Sequence, residues 1–237
     1  MPVLTVEIWS DIACPWCYVG KRRLEAALAR FPERASVQVT WRAFELDPAA
    51  PRSADPSISY AERLARKYAT SPARAEEMIR GMTATAAAEG LDFHFERIRP
   101  GNTFDAHRVL HLATRRGLGD AAKERFLRAY LTEGEPIGER EVLARLAGEV
   151  GLEEGEVRSL LASDEYAAEV RADEEQARAR GIHGVPHFLV AGRHAASGAQ
   201  PVEVLLRLLR GAWSARPPEP SSEVAAEGGA CGPDGCA

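Results

Sequence analysis

The chain has 237 residues, 45% of them hydrophobic and 27% charged, with a net charge of −5. That balance suits a soluble globular protein with a sizeable core, and no apolar run approaches the ~20 residues that span a bilayer. From Pro217 onward there are four acids (Glu219, Glu223, Glu227, Asp234) and no Lys or Arg, so the rest of the chain is near neutral. Such a body gives no electrostatic case for nucleic acid or an anionic membrane as a partner.

Met1-Pro2-Val3-Leu4 lacks the basic and apolar regions of a signal peptide, which points to a chain made and kept in the cytoplasm. Four cysteines in that reducing compartment suggest catalysis or metal binding rather than structural bridges.

Leu4, Val6 and Ile8 alternate with Thr5, Glu7 and Trp9, the period of a strand. Leu24, Leu28 and Phe31 then recur at helical spacing before Pro32, and Val37, Val39 and Trp41 alternate as a second strand. This reads as a β-α-β unit. Phe44 to Ser57 reads as a loop, and Ile58 to Arg180 as almost wholly helical. Its segments are 58–69, 72–90 behind Ser71-Pro72, 102–117, 120–132, 139–150, 153–161 and 164–180. Leu91 to Arg97 alternates loosely, as a short extended excursion. Strand periodicity returns over Val185 to Val190, Ala191-Gly192-Arg193 suits a hairpin, and Val202 to Trp213 is amphipathic.

The expected fold is therefore α/β: a thioredoxin fold with a large all-helical insertion (about 52–181) between its β-α-β and β-β-α halves. One domain covers 1–213. An acidic tail, 214–237, carries Cys231 and Cys236 as a C-x4-C pair and has little apolar mass to bury.

Cys14-Pro15-Trp16-Cys17 sits where the first strand gives way to the first helix. A cysteine capping that helix faces unpaired N–H groups and the positive end of the dipole, which favour a thiolate at Cys14. Cys17, one turn on, can attack a mixed disulfide formed at Cys14 and release the partner. Pro15 suits the first turn, having no N–H to leave unsatisfied. A C-x-x-C can also be half of a zinc site, but its second pair of ligands is missing nearby, and inert thiols are the plainest alternative.

With these elements in place the chain resembles the DsbA family of thiol–disulfide oxidoreductases. The resemblance is carried by the C-P-W-C, the mid-fold helical insertion and Gly184-Val185-Pro186. It is closest to the cytoplasmic FrnE-type branch through Asp11 to Gly20, Asn102 to Arg108 and the tail pair. The resemblance implies a disulfide oxidoreductase or isomerase acting on protein or peptide disulfides without a bound cofactor or metal. Glutathione can serve it as co-substrate, and a thioredoxin- or glutathione-type donor as electron partner. It also implies that Pro186 is cis beside the dithiol and that Val185 offers backbone groups to substrate, with Trp16 alongside. Periplasmic members carry Pro-His between the cysteines, so Trp16 implies a weaker oxidant here. His187 after the proline departs from the family pattern: it lies near the thiols or is a partly buried strand residue.

Two features stay open. His107 and His111 lie four apart, a spacing that can bind metal, but a packed or solvated helix face accounts for them better; Asn102 suits a helix cap. Cys231 and Cys236 can close a small exposed disulfide that shuttles electrons to Cys14 and Cys17, or can be plain tail thiols. The competing function is a glutathione-dependent isomerase or transferase of the 2-hydroxychromene-2-carboxylate isomerase and kappa-class type. That group typically has serine where Cys14 stands.

Overall fold

A computed structural model describes residues 3–55 and 57–216; the Cys231–Cys236 pair lies outside the described residues. Strand β1 (Leu4–Ser10) runs parallel to β2 (Val37–Ala43), with Leu4 opposite Val37 and Ile8 opposite Trp41. A parallel pair needs a crossover, and helix α1 (Pro15–Ala29) supplies it. Strand β3 (His187–Val190) lies antiparallel on the other side of β1, and β4 (His194–Ser197) returns beside it, giving the order β2-β1-β3-β4. The turn between them uses positive φ at Ala191 and Gly192, as a tight hairpin demands. Helix α9 (Val202–Ser214) closes the fold.

One sheet face packs Leu4, Val6, Ile8 and Phe188 against Leu24 and Phe31 near α1 and Leu205 and Leu209 of α9. The other face departs from simple alternation. Trp9 falls on the side that the sequence pattern leaves polar, yet it is buried with Ala177, Ile182 and Leu189. Its indole Nε1 donates to the Asp173 carbonyl at 2.9 Å. The cause is helix α8 (Ala167–Ala179), which covers this end of the sheet.

Between β2 and β3 run α2 (Tyr60–Lys67), α3 (Pro72–Ala88), α4 (Phe104–Arg115), α5 (Gly119–Arg128), α6 (Arg140–Gly148), α7 (Glu154–Leu161) and α8. They form the helical insertion and share a core that includes Phe93, Phe95, Phe126, Leu127, Leu143 and Leu160. The single helix expected over 120–132 is instead α5 followed by a π turn, Ala129–Glu133, stopped at Gly134 with φ +73°. Leu91 to Arg97 takes turn geometry rather than a ladder, tied to the π turn by His94 N–H donating to the Leu131 carbonyl at 2.8 Å.

Two buried charges fasten the insertion to the sheet half. Asp173 accepts from the Ala43 amide (2.9 Å) and Arg42 Nη1 (3.1 Å) of β2. Lys21 of α1 pairs with Asp120 (3.2 Å) and Glu124 (3.1 Å) of α5. Removing one partner of such a pair leaves an uncompensated buried charge, which is why these contacts fix the relative placement of the two halves.

Candidate active site

Cys14 is the N-cap of α1, in extended geometry (φ −96°, ψ 110°), and Pro15 occupies the first turn. Its side chain makes no capping hydrogen bond, so the sulfur is left for chemistry. The Cys17 amide donates back to the Cys14 carbonyl at 3.0 Å, closing the turn that sets the two thiols side by side. Both are free thiols, Cys14 at 4% exposure and Cys17 at 1%, while Trp16 between them stands 40% exposed.

Across from the helix start lies the segment before β3. Its Val185–Pro186 peptide bond is cis, and Cys14 Sγ–H donates to the Val185 carbonyl at 3.6 Å. Pro186 is buried and Val185 partly so. Gly20, one turn past Cys17, makes this closeness feasible: a Cβ there would stand 2.9 Å from Pro186 Cγ and 3.3 Å from Phe188 Cζ. The strand expected from Val185 starts two residues later, because a proline has no N–H to give the ladder.

Beneath the dithiol the site is charged. Asp11 is buried; its Oδ2 accepts from the Leu46 amide (2.8 Å), its Oδ1 from the Ala13 amide (3.4 Å), and His107 Nε2 lies 3.4 Å from Oδ1. Burial works against the carboxylate, yet the His107 and Leu46 bonds hold its pKa below the usual range. Burial pushes His107 down, so it stays neutral despite Asp11. Lys123 of α5 is fully buried, donates to the Ser10 carbonyl at 3.3 Å and lies 5.5 Å from the Trp41 ring centre. Burial pushes its pKa down to about 8, against the pull of Cys17, Asp11 and Cys14.

The two thiols lie close enough that each shifts the titration of the other. The hydrogen bond with Cys17, together with burial, pushes Cys14 well above the ordinary thiol value. Burial would raise Cys17 as well, but the adjoining Cys14 thiol and the Lys123 charge bring it below. The resting charge therefore favours Cys17, not the helix-capping Cys14 that the sequence points to. The reason is the Lys123 ammonium, which lies on the Cys17 side. Cys14 remains the sulfur beside the exposed Trp16 and the Val185 carbonyl, and Cys17 is placed to take its proton.

The structure brings Cys14, Cys17, Val185 and Pro186 together, with Trp16 in the same turn. His187 is not against the thiols: its Nδ1 is 2.8 Å from Ser197 Oγ and its ring meets Trp9 edge-on at 6.1 Å, and burial lowers its pKa. His107 and His111 do not converge on one point. They meet different aspartates, His111 reaching Asp173 at 3.1 Å, and no group of three His, Cys, Asp or Glu side chains suited to a metal ion occurs among the described residues. Asn102 is not the cap residue: Thr103 holds that position without a side-chain bond, and Asn102, one residue earlier, accepts from the Phe104 amide with Oδ1 (2.9 Å) and donates from Nδ2 to Glu45 (3.1 Å).

Lys123, His107 and Ser10 were not singled out from sequence as neighbours of the dithiol. Lys123 carried a signal, since it shares the helical face of Ala122, Phe126 and Leu127, where an apolar residue is expected. His107 carried none, because only the folded insertion brings it to Asp11, and Ser10, the last residue of β1, carried none beyond its closeness to Cys14 in sequence.

The model of the DSBA-like thioredoxin domain matches residues 5–210 of this chain. A probable DsbA oxidoreductase from Streptomyces coelicolor is 44% identical with a TM-score of 0.85, over 99% of this chain and 98% of that one. A glutathione-bound cytosolic disulfide reductase, DsbM from Pseudomonas aeruginosa, shares the fold at 21% identity and a TM-score of 0.61, over 89% of this chain and 99% of that one. The Bacillus subtilis (strain 168) protein YwbO, itself uncharacterized, is 27% identical over 187 residues, 78% of this chain and 86% of YwbO.

Proposed function

Because the chain belongs to the DSBA-like thioredoxin-domain family, we propose that it is a thiol–disulfide oxidoreductase acting on protein or peptide disulfides through Cys14 and Cys17. The observation that carries this reading is Cys14 at the α1 N-cap, its sulfur 3.6 Å from the Val185 carbonyl and flanked by the exposed Trp16.

In the reducing direction, Cys14 passes its proton to Cys17 and its sulfur attacks one sulfur of the substrate disulfide. That S–S bond breaks, a Cys14–substrate disulfide forms, and the departing thiolate takes up a proton. Cys17, deprotonated again, attacks the Cys14 sulfur and expels the second substrate thiolate. Two electrons have then moved from the dithiol to the substrate, and a Cys14–Cys17 disulfide remains. Lys123 stabilises the Cys17 thiolate that carries out this second step. Val185 offers its backbone to an extended substrate segment beside Cys14, as a strand edge does.

The exchange needs no bound cofactor or metal in this reading; a thioredoxin- or glutathione-type donor resets the pair. On the resemblance of its motifs to the FrnE-type branch we place the activity in the cytoplasm. Among the described residues no helix is long and apolar enough to cross a membrane.

The glutathione-dependent isomerase reading loses ground on Cys14 itself. A cysteine with a resolving partner one turn on would form a disulfide where that chemistry needs a hydroxyl to hold glutathione thiolate. The deciding experiment is reduction of insulin disulfides by dithiothreitol, with wild type beside Cys14→Ser. Acceleration by wild type that vanishes in Cys14→Ser is expected. Background rates from both proteins would overturn the oxidoreductase reading in favour of glutathione chemistry.

A further inference from the structure

A cavity of about 550 Å³ opens beside the dithiol loop, where Asp11 and Ala13 form one wall and the loop at Leu46 and Asp47 another. Its remaining side is α2. Tyr60, Arg63, Arg66 and Lys67 line it, and these recur at the three- and four-residue spacing that puts them on one helical stripe. The helix is fixed at its start by a capping box between Ser59 and Glu62, so the stripe is held in place.

The stripe is cationic and largely unspent. Among the described residues, none of Arg63, Arg66 and Lys67 has a carboxylate within 4.0 Å, although other arginines of this chain pair extensively. Arg63 donates instead to the backbone carbonyls of Ile58 and Asp55. Two acids also face the cavity. The Asp11 carboxylate is already taken up by the Leu46 and Ala13 amides, and Asp47 stands exposed on the far wall.

Polar groups in the cavity also await a partner. The Tyr130 side chain is almost wholly buried and lines the cavity, but its hydroxyl bonds to no protein group among the described residues. Tyr60, only partly buried, also lines the cavity with its hydroxyl unbonded to protein groups among the described residues, and burial and the neighbouring Cys14 raise its pKa. A hydroxyl that opens into a cavity beside a nucleophile is free to bond a polar group of the substrate when it enters.

We propose that this cavity selects substrates in which the reacting cysteine is flanked by carboxylates, the negative charge meeting Arg63, Arg66 and Lys67 and a polar group of the peptide meeting Tyr130. The inference rests on the oxidoreductase reading and deepens it by naming the substrate class. Ala13, the residue before Cys14, lines the same cavity as the α2 stripe, so residues that flank a substrate cysteine held at Cys14 come to the side where the cations stand. Exposed ion pairs are individually weak, but two or three together change kcat/KM measurably and do so mainly at low salt.

The test uses the full chain and mixed disulfides of one fluorogenic thiol with two cysteine peptides, identical but for flanking glutamates or flanking lysines. Wild type is expected to favour the glutamate peptide by about three- to tenfold in kcat/KM at low salt, with the preference shrinking toward parity at roughly 0.5 M salt. The double variant Arg66→Glu with Lys67→Glu, at exposed positions, is expected to abolish or invert the preference while alkylation of Cys14 proceeds at the wild-type rate. Tyr130→Phe is expected to raise KM for both peptides and leave kcat. Oxidised glutathione, whose carboxylates flank its own disulfide, distinguishes the sources: a kcat/KM above that of the glutamate peptide assigns the site to small peptide thiols, and one below it to longer acidic segments. Equal wild-type turnover of both peptides at low salt overturns the inference. No turnover of any of the three overturns the oxidoreductase reading instead.

Discussion

The two sides of the Cys14–Cys17 segment are built from different materials. On the open side stand Trp16, the Val185 carbonyl and Pro186, neutral groups contributed by the sheet half. On the closed side lie Asp11, His107 and Lys123, all titratable and all buried. Two of those three come from α4 and α5 of the insertion. The difference shows that the insertion is more than a cover over the sheet. The thioredoxin-like half presents a sulfur to substrate, and the inserted helices set the protonation of the sulfur behind it.

That division breaks most visibly at Cys17. Replacing Cys17 with serine leaves the open side whole but removes the resolving thiol, so Cys14 still attacks and the product is not released. Turnover of a protein disulfide is expected to fall by about two orders of magnitude or more, with a mixed disulfide at Cys14 accumulating under mass spectrometry. Wild-type turnover without that adduct would mean that an external thiol resolves the intermediate and that the closed side is idle.

Lys123→Met gives a smaller effect with opposite signs for stability and chemistry. Lys123 has a folded pKa of about 8 against 10.5 for an ordinary lysine in water. Between those values the unfolded chain holds a proton that the folded chain lacks, so stability rises with pH across that window. At neutral pH the folded protein bears the cost of a buried ammonium, and an apolar side chain of similar length removes it. Lys123→Met is expected to raise stability by about 1–3 kcal/mol in denaturant titrations, and the wild-type rise above pH 8 should disappear. The same variant is expected to shift the pH profile of thiol alkylation upward, because the Cys17 thiolate loses its cation. A stabilised variant with an unmoved alkylation profile would reduce Lys123 to a packing residue.

The contrast between the two sides also explains what was legible in the sequence. Cys14, Pro15 and Cys17 are local: strand period, proline and cysteine spacing lie within fourteen residues, and short-range rules suffice. The break at residue 44 and the return of strand period near 185 were legible for the same reason, and with them the interrupted thioredoxin fold. The closed side depends on which insertion side chains land under the dithiol, and helical periodicity gives a helix's buried face without naming what it is buried against. His107 illustrates this: its spacing to His111 suggested one shared role, but α4 carries the two toward Asp11 and Asp173 separately. Trp9 failed for a related reason, since strand alternation does not reveal that α8 will cover the second face.

The smallest expected effect isolates the pH response of the closed side. Burial keeps His107 below the ordinary imidazole value of 6.5 in the folded chain. As pH falls below 6.5 the unfolded chain takes up a proton that folded His107 refuses, so stability declines from there and is complete only above it. Asp11 acts lower: its folded pKa lies below 3.8, so its contribution is present above that value and is lost as pH falls through the folded pKa. Acid destabilisation should thus begin in a His107 phase, worth about 1 kcal/mol per pKa unit of depression, and continue in an Asp11 phase. His107→Gln keeps a donor for Asp11 but cannot titrate. Its urea midpoint should decline less than the wild-type midpoint between pH 6.5 and about 5, His187 supplying what remains, and the two curves should run together through the Asp11 range below. Parallel decline of both proteins from pH 6.5 would place the first phase on another group. Trp16 and Val185 on the open side do not titrate, so an unchanged first phase in Trp16→Ala, beside its reduction in His107→Gln, would assign that part of the acid sensitivity to the insertion's side of the dithiol.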